Sequence, residues 1–153
     1  MAPLVSTIDI NRPQDEVFAY VTDPGTFAEW QAGVVGGGME GDATPAVGSK
    51  CVTRRRIGGS ERDSTSEVTR LEPPTRWAVH GIDGPIRATV NVLVEPLEGS
   101  ARSRVTIDLD FEGHGIGKLL VPLVVRRQAR SEMLANCRAL KQRLETRAHL
   151  RRA

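Results

Sequence analysis

Apolar and polar residues alternate through the middle of the chain with the period of two that is typical of β-strands. The alternation is clearest in 86–94 and in 105–112, and Asp108, Asp110 and Glu112 lie between or after the apolar residues of the second run. Short turn signals, such as Gly58-Gly59 and Asp83-Gly84, stand between successive runs. Because short turns join antiparallel neighbours, the pattern predicts an antiparallel meander. Its predicted strands are 48–57, 60–72, 75–82, 85–97 and 101–113.

The N-terminal part predicts one more strand, two short helices and a glycine-rich strand. Residues 3–10 alternate as a strand does. Asn11 is expected to cap the first helix, with Pro13 at its first position. An Asp-Pro-Gly sequence ends that helix, and a second short helix is predicted at 26–30. The glycines in 32–40 indicate a strand with a bulge or a tight bend, and a phosphate-binding loop is the weaker interpretation.

A long C-terminal helix is predicted from about residue 118 to residue 147. Apolar residues recur every three or four positions and form a stripe that must pack on something. The stripe consists of Leu119, Leu123, Met133, Cys137, Leu140 and Leu144. We expect a single domain over 1–147 and a frayed basic tail over 148–153.

The order of these elements predicts an α+β fold. A seven-stranded curved antiparallel sheet wrapped around the long helix satisfies the inventory. One helix cannot fill the concave face completely, so we expect an internal cavity between sheet and helix as the ligand site.

Composition and charge narrow the function classes. The chain has 153 residues, of which 39% are hydrophobic, as in an ordinary globular domain. Residues 1–125 carry a net charge of −5 and residues 126–153 a net charge of +7. We interpret the basic segment as a solvated helix face with a charged tail; contact with nucleic acid or with an anionic membrane is the alternative. No nucleic-acid-binding motif occurs, so we predict no nucleic-acid partner.

Other features of the sequence bear on compartment and cofactors. No apolar run reaches the roughly 20 residues that span a bilayer, and the N-terminus lacks the pattern of a secretory signal. Cys51 and Cys137 are far apart and are expected to be free thiols in a cytoplasmic protein. The three histidines are scattered, so we predict neither a metal nor another cofactor.

Several segments are similar to a known family. The N-terminal stretch IDINRPQDEVFAYVTDPGTFAEWQ resembles the start of polyketide cyclase/dehydrase-type proteins, members of the START-related helix-grip (SRPBCC) superfamily. The pieces VTRLEPP, LVEP and LLVPL agree with it, and the resemblance covers about 4–145. It implies a helix-grip fold. It is weak for function, because that superfamily includes lipid carriers, hormone receptors and aromatase/cyclases.

The hairpin around Gly58-Gly59 has an unusually polar inner face. If Val68 points inward, strand parity places Ser66, Ser64 and Arg62 on the same face, with Arg55 on the partner strand. A buried arginine needs a partner. Either a carboxylate reaches it, or the cavity is wet, or the hairpin extends past the helix into solvent.

Aromatic and basic residues give further candidates, each with an alternative. Trp30 either stacks on a planar ligand or plugs the core, and Tyr20 either donates to a ligand or packs its helix. His80 is expected outward beside inward Trp77, unless a bulge turns it into the cavity as a general base. Arg126 either holds an anion or covers apolar surface.

We therefore predict that the chain binds a hydrophobic, polyketide-like or lipid-like small molecule, as a monomer or homodimer, with no integral membrane association. The alternative is an aromatase/cyclase that catalyses aldol cyclisation and dehydration. The predicted catalytic residues for that alternative are His80, Tyr20 and Arg55. The predicted ligand-binding residues are Trp30, Arg62, Ser64, Ser66, Trp77, Val90, Val92, Phe111, Leu123 and Arg126.

Overall fold

The computed structural model describes residues 3–57, 59–116, 118 and 125–152, apart from the side chains of Asp42, Ile57 and 147–152. Seven strands form a single sheet. They are β1 (Leu4–Ile10), β2 (Val34–Met39), β3 (Lys50–Ile57), β4 (Ser60–Glu72), β5 (Arg76–Gly81), β6 (Ile86–Pro96) and β7 (Ser103–Gly113). The helices are α1 (Gln14–Val21), α2 (Phe27–Trp30) and α3 (Arg126–Arg152), with short 3₁₀ turns at Pro24–Thr26 and Glu40–Asp42.

The sheet has the strand order β1-β7-β6-β5-β4-β3-β2, and every neighbouring pair is antiparallel. The six consecutive strands β2 to β7 form a meander, and β1 is added beside β7. This arrangement confirms the predicted seven-stranded sheet, with two short helices after the first strand and a long helix at the end. The edges of the sheet are β1 and β2.

The start of α1 differs from the prediction. Pro13 occupies the position before the first helical residue, with extended backbone (φ −64°, ψ 153°), and no side chain caps the helix. The expected cap at Asn11 is wrong because Asn11 has other partners. Its side-chain oxygen accepts from Arg102 Nε at 2.8 Å, and its N–H donates to Glu145 Oε2 at 3.2 Å.

Of the two alternatives for the glycine-rich strand β2, the bulge is found, and it lies between Val34 and Gly36. Gly37 has a separate steric reason to be glycine. A Cβ there would lie 2.9 Å from the carbonyl oxygen of Pro24 and 3.0 Å from that of Val52. The missing side chain therefore allows the 3₁₀ turn to press against β2, which places α2 beside the sheet.

The core lies between one face of the sheet, α1, α2 and α3. The sheet, α1 and α3 each contribute fully buried apolar side chains. α2 contributes Phe27 and Trp30, which are each 7% exposed. The most buried apolar side chains are Ile10, Val17, Val21, Val94, Val105, Leu140 and Leu144. We call this face the inner face of the sheet and the opposite face the outer face.

α3 packs against β1, α1 and α2. Ser6 Oγ lies 3.3 Å from Cys137 Sγ, which places the helix over the inner face at the β1 edge. Lys141 Nζ donates to the backbone oxygen of Asp9 and to Glu145 Oε2, at 2.8 Å and 2.7 Å. The predicted stripe residues Leu119 and Leu123 lie outside the described residues. Among the described helices, none is long and apolar enough to span a membrane.

Candidate functional site

The inner face is apolar on β6 and β7. The register pairs Ala88 with Phe111, Val90 with Leu109 and Val92 with Ile107, so these side chains share one face. Val92 is buried at 4% exposure, whereas Val90, Leu109 and Phe111 are only half-buried. The described part of α3 lies over β1 and the short helices. The inner face of β6 and β7 therefore keeps apolar surface that no described element covers fully.

The inner face becomes polar on β3 and β4. Cys51 pairs with Ser66, and Thr53 pairs with Ser64. The next inner pair is Arg55 with Arg62. The predicted parity is confirmed because buried Cys51 and buried Val68 lie on the same face as these residues. Ser64, Ser66 and Arg55 are half-buried.

Arg62 is exposed, unlike its neighbour Arg55. The third alternative, a hairpin that extends past the helix into solvent, is therefore correct for the tip of the hairpin, which includes Arg62. This alternative is not correct for Arg55, which is half-buried although it lies directly opposite Arg62. The two arginines thus differ in environment at the same level of one hairpin.

Arg55 has few protein partners for its charge. Its Nη2 donates to Gln31 Oε1 at 3.5 Å, a long hydrogen bond to a neutral amide at the end of α2. Burial lowers the pKa of the Arg55 guanidinium, and the charge of Glu132 on α3 acts in the opposite direction. It forms no ion pair with any described residue. A guanidinium has five N–H donors, so most of those of Arg55 are available to a ligand or to water.

Glu132 is the acidic group of α3 nearest to this site. Gln128 Nε2 donates to Glu132 Oε1 at 3.0 Å, which holds the carboxylate on the helix surface. Asn136 Oδ1, one turn further along, accepts from the N–H of Ala32 at 3.0 Å. Side chains of α3 therefore tie the helix to the segment after α2 and bring a negative charge near Arg55.

Arg126, at the start of α3, is only 11% exposed and has an ion pair with Asp110 on β7. The Nη1 to Oδ1 distance is 3.3 Å. Asp110 also accepts from the N–H of Phe111 at 2.9 Å. The pair fixes the first described turn of α3 to the far end of β7. The predicted contact of Arg126 with a ligand stays a prediction.

The two tryptophans belong to one aromatic cluster. Phe27 meets Trp30 edge-on at a centroid distance of 5.9 Å and Trp77 at 6.2 Å. Trp30 is 7% exposed and Trp77 is 5% exposed, in agreement with the plug interpretation of Trp30. The Nε1 of Trp30 has no hydrogen-bond partner among the described residues. Ligand contact by either ring stays a prediction.

Tyr20 and His80 both form hydrogen bonds with other side chains of the protein. The Tyr20 hydroxyl donates to Glu29 Oε1 at 3.0 Å and so connects α1 to α2. His80 pairs with Thr89 on the outer face, and its Nδ1 lies 2.8 Å from Thr89 Oγ1. The bulge of this region lies on β4, between Val68 and Arg70, and leaves His80 outward. The catalytic roles of both residues stay predictions that this geometry does not support.

Sequence reasoning missed a groove on the outer face. It has a volume of about 300 Å³ and lies along β2 to β4. Gly36 and Gly38 line it, and a Cβ at either position would meet nothing within 4 Å. The ion pair of Arg54 with Asp63, at 2.9 Å, forms one side. The run of glycines indicates that side chains are missing from β2, but the sequence alone does not tell on which face of the sheet a groove results.

Both cysteines are free and buried. Burial raises the pKa of the Cys51 thiol and of the Cys137 thiol. Neither therefore has the properties of a reactive nucleophile. In the described part of the chain, no three His, Cys, Asp or Glu residues are arranged to hold a metal ion.

Comparison with known proteins identifies the family. The model of the family "Polyketide cyclase / dehydrase and lipid transport" matches residues 1–145. The chain belongs to this family. No curated protein matches the chain.

Solved structures share the fold at low sequence identity. The Zhui aromatase/cyclase from Streptomyces sp. R1128 is 13% identical, with a TM-score of 0.76, over 95% of this chain and 94% of that one. A START superfamily protein from Mycobacterium smegmatis is 17% identical, with a TM-score of 0.75, over 95% and 99%.

A third similar structure is larger than this chain. The di-domain ARO/CYC BexL of the BE-7585A biosynthetic pathway is 18% identical, with a TM-score of 0.73. The match covers 95% of this chain but 47% of BexL, so the chain spans about half the length of that protein. Together these structures establish the helix-grip fold of this family member, and its ligand has to be argued from its own residues.

Proposed function

We propose that the protein binds a hydrophobic, polyketide-like or lipid-like small molecule between the inner face of the sheet and α3. The proposal rests on one observation: a half-buried arginine with unused donors lies on the same face as incompletely covered apolar side chains. Arg55 supplies the donors, and Val90, Leu109 and Phe111 supply the apolar surface. Apolar walls with a few placed polar groups are typical of small-molecule sites.

The polar end of this site favours an oxygen-bearing ligand group. A guanidinium away from water binds a carboxylate, an enolate or a pair of carbonyl oxygens more strongly than an exposed one does. Thr53 and Ser64, next to Arg55 on the inner face, add hydroxyl groups. We infer a ligand with an apolar body along β6 and β7 and an oxygen-rich end at Arg55.

Aromatase/cyclase activity is the second candidate function. Aldol closure develops negative charge on an enolate oxygen, and the available donors of Arg55 are suited to stabilise it. A base must also take the proton from carbon. The Tyr20 hydroxyl donates to Glu29, and His80 faces the other side of the sheet. The carboxylate near Arg55, that of Glu132, is hydrogen-bonded to Gln128 on the surface of α3, so we rank binding first.

Binding can be tested with 1-anilinonaphthalene-8-sulfonate, an aromatic dye with an anionic group. We expect Arg55→Gln to weaken dye binding about tenfold, because a charge-assisted hydrogen bond is lost. Arg62→Gln is the matched control, since Arg62 is the exposed cross-strand neighbour, and it should change binding less than about twofold. Equal losses in both variants, or none in Arg55→Gln, would overturn the proposal.

Catalysis is tested separately with a reactive poly-β-keto thioester. The aromatase/cyclase candidate predicts that cyclised product forms with the wild-type protein and is lost with Arg55→Gln. Retained product with His80→Ala would remove His80 from the reaction. If the wild-type protein binds the dye but gives no cyclised product above the rate in buffer, the binding function stands and the catalytic one fails.

A further inference from the structure

The exposed side of α3 carries a row of four residues, which we call the α3 stripe: Arg127, Arg130, Leu134 and Arg138. Their spacing of three, four and four residues places them on one helix face. All four are exposed, and Leu134 is 61% exposed. The α3 stripe therefore has Leu134 between arginines: Arg127 and Arg130 lie about two turns and one turn before it, and Arg138 lies one turn after it.

No residue that the structure describes neutralises the charge of the α3 stripe. Several exposed arginines of the sheet have neighbouring carboxylates: Arg54 pairs with Asp63, Arg70 with Glu72 and Arg104 with Asp9. The three arginines of the stripe form no ion pair or side-chain hydrogen bond with any described residue. Three uncompensated positive charges thus surround one exposed leucine, in the segment whose net charge is +7.

We propose that the α3 stripe docks the protein on a bilayer surface that contains anionic phospholipid. A helix lying in the plane of the surface would place its arginines at the phosphates and Leu134 at the boundary with the acyl chains. From Arg127 to Arg138 the stripe is about 16 Å long, since the helix rises 1.5 Å per residue. That length covers several lipid headgroups.

The exposed side chain of Leu134 favours an anionic bilayer over nucleic acid as the partner of the α3 stripe. Nucleic acid would satisfy the arginines through its phosphates but would offer Leu134 at the centre of the stripe no apolar contact. A bilayer surface offers negative charge and apolar depth together. The observations therefore favour lipid, and binding to nucleic acid becomes an outcome of the test.

Docking through the α3 stripe uses exposed side chains and none of the α3 side chains that are buried in the core. Cys137, Leu140 and Leu144 lie on the adjacent side of α3 and are buried at 4%, 0% and 1% exposure. Docking consequently needs no change in the core and does not depend on the identity of any ligand.

Co-sedimentation with vesicles tests the docking. We expect the full chain to bind vesicles of 30% phosphatidylglycerol in phosphatidylcholine at low salt and to be released in 1 M NaCl. The triple change of Arg127, Arg130 and Arg138 to Gln should weaken binding roughly a hundredfold, at about fivefold per arginine. Leu134→Ser should weaken it about fivefold, because its apolar contact is lost.

A control with the same change in net charge separates the stripe from general electrostatics. Arg54→Gln, Arg70→Gln and Arg104→Gln, combined in one variant, should reduce vesicle binding less than about threefold. Circular dichroism verifies that each variant is folded. Equal binding to pure phosphatidylcholine, equal losses in stripe and control variants, or tighter binding to duplex DNA than to the vesicles at the same salt would each overturn the proposal.

Discussion

Arg55 and Arg62 lie directly opposite each other on β3 and β4, with like charges on one face of the sheet. Like charges at directly paired positions destabilise a sheet. The protein accommodates this pair by leaving Arg62 exposed to solvent while Arg55 extends toward Gln31 and α3. The retained repulsion is consistent with a binding role for Arg55, and it makes the pair open to direct tests.

Arg62→Glu should stabilise the fold while weakening the proposed ligand site. A carboxylate opposite Arg55 replaces a repulsive pair by an attractive one, which should raise the free energy of unfolding by about 1 kcal/mol. The same carboxylate competes for the donors of Arg55, so binding of an anionic dye should fall. Urea unfolding and dye titration measure the two effects, with Arg62→Gln as the neutral comparison.

Those two readouts separate stability from binding. A variant that is less stable and binds less dye would indicate damage to the hairpin rather than competition at Arg55.

Gly37→Ala should destabilise the protein, because its new Cβ would approach two backbone oxygens within about 3 Å. We expect a loss of about 2 kcal/mol in the free energy of unfolding, as in other overpacked sites. Gly36→Ala and Gly38→Ala are matched controls on the same strand, since a Cβ there meets nothing within 4 Å. They should change stability by less than about 0.5 kcal/mol. Urea unfolding that gives three equal losses would contradict the proposed contact with the 3₁₀ turn.

Glu145 should make stability depend on pH. Partial burial raises the pKa of Glu145, but hydrogen bonds from Lys141 and from the N–H of Asn11 lower it by more. The pKa of Glu145 is therefore below its ordinary value of 4.5. A depressed carboxyl pKa stabilises the folded state above about pH 4.5, and this contribution is lost as pH falls through the folded value. Glu145→Gln should therefore cost about 1 kcal/mol at pH 7.

The cost of Glu145→Gln should shrink steadily below pH 4.5, which urea unfolding at a series of pH values measures. Glu98→Gln, at an exposed position, should be neutral throughout. A cost that stays constant down to pH 2.5 would show that the carboxylate charge is not what stabilises the end of α3.

The two thiols should be unreactive in the folded protein. Cys51 is 5% exposed and Cys137 is 4% exposed, and burial raises the pKa of both, so little thiolate is available. With 5,5′-dithiobis(2-nitrobenzoate) at pH 8, we expect slow reaction in buffer and two rapid equivalents in denaturant. One rapid equivalent in buffer would show that a cysteine is accessible in the native state.

Much of the fold could be predicted because local patterns and global topology agree. The alternation of Val105, Ile107 and Leu109 fixed both the strand and its inner face, which the pairing with β6 reproduces. The cap of α1 could not be predicted in the same way. Asn11 is a good capping residue in isolation, but its partners Arg102 and Glu145 are distant in sequence and enter only through the fold.

The candidate site was predictable in position but not in detail. Strand parity placed Arg55, Ser64 and Ser66 on the inner face, because it depends only on a period of two. Parity says nothing about exposure, so it could not separate Arg55 from Arg62. It also could not predict that Tyr20 would be held by Glu29, since that bond depends on how α1 and α2 pack.

The most direct test of the central claim is to map a bound ligand by NMR chemical shifts. With the anilinonaphthalene dye, we expect the largest changes at inner-face positions, namely Thr53, Arg55, Ser64, Val90 and Leu109, and small changes at Val52, Arg54 and Asp63 around the outer groove. Changes confined to the outer groove, with the inner face unaffected, would show that the ligand does not bind between the sheet and α3.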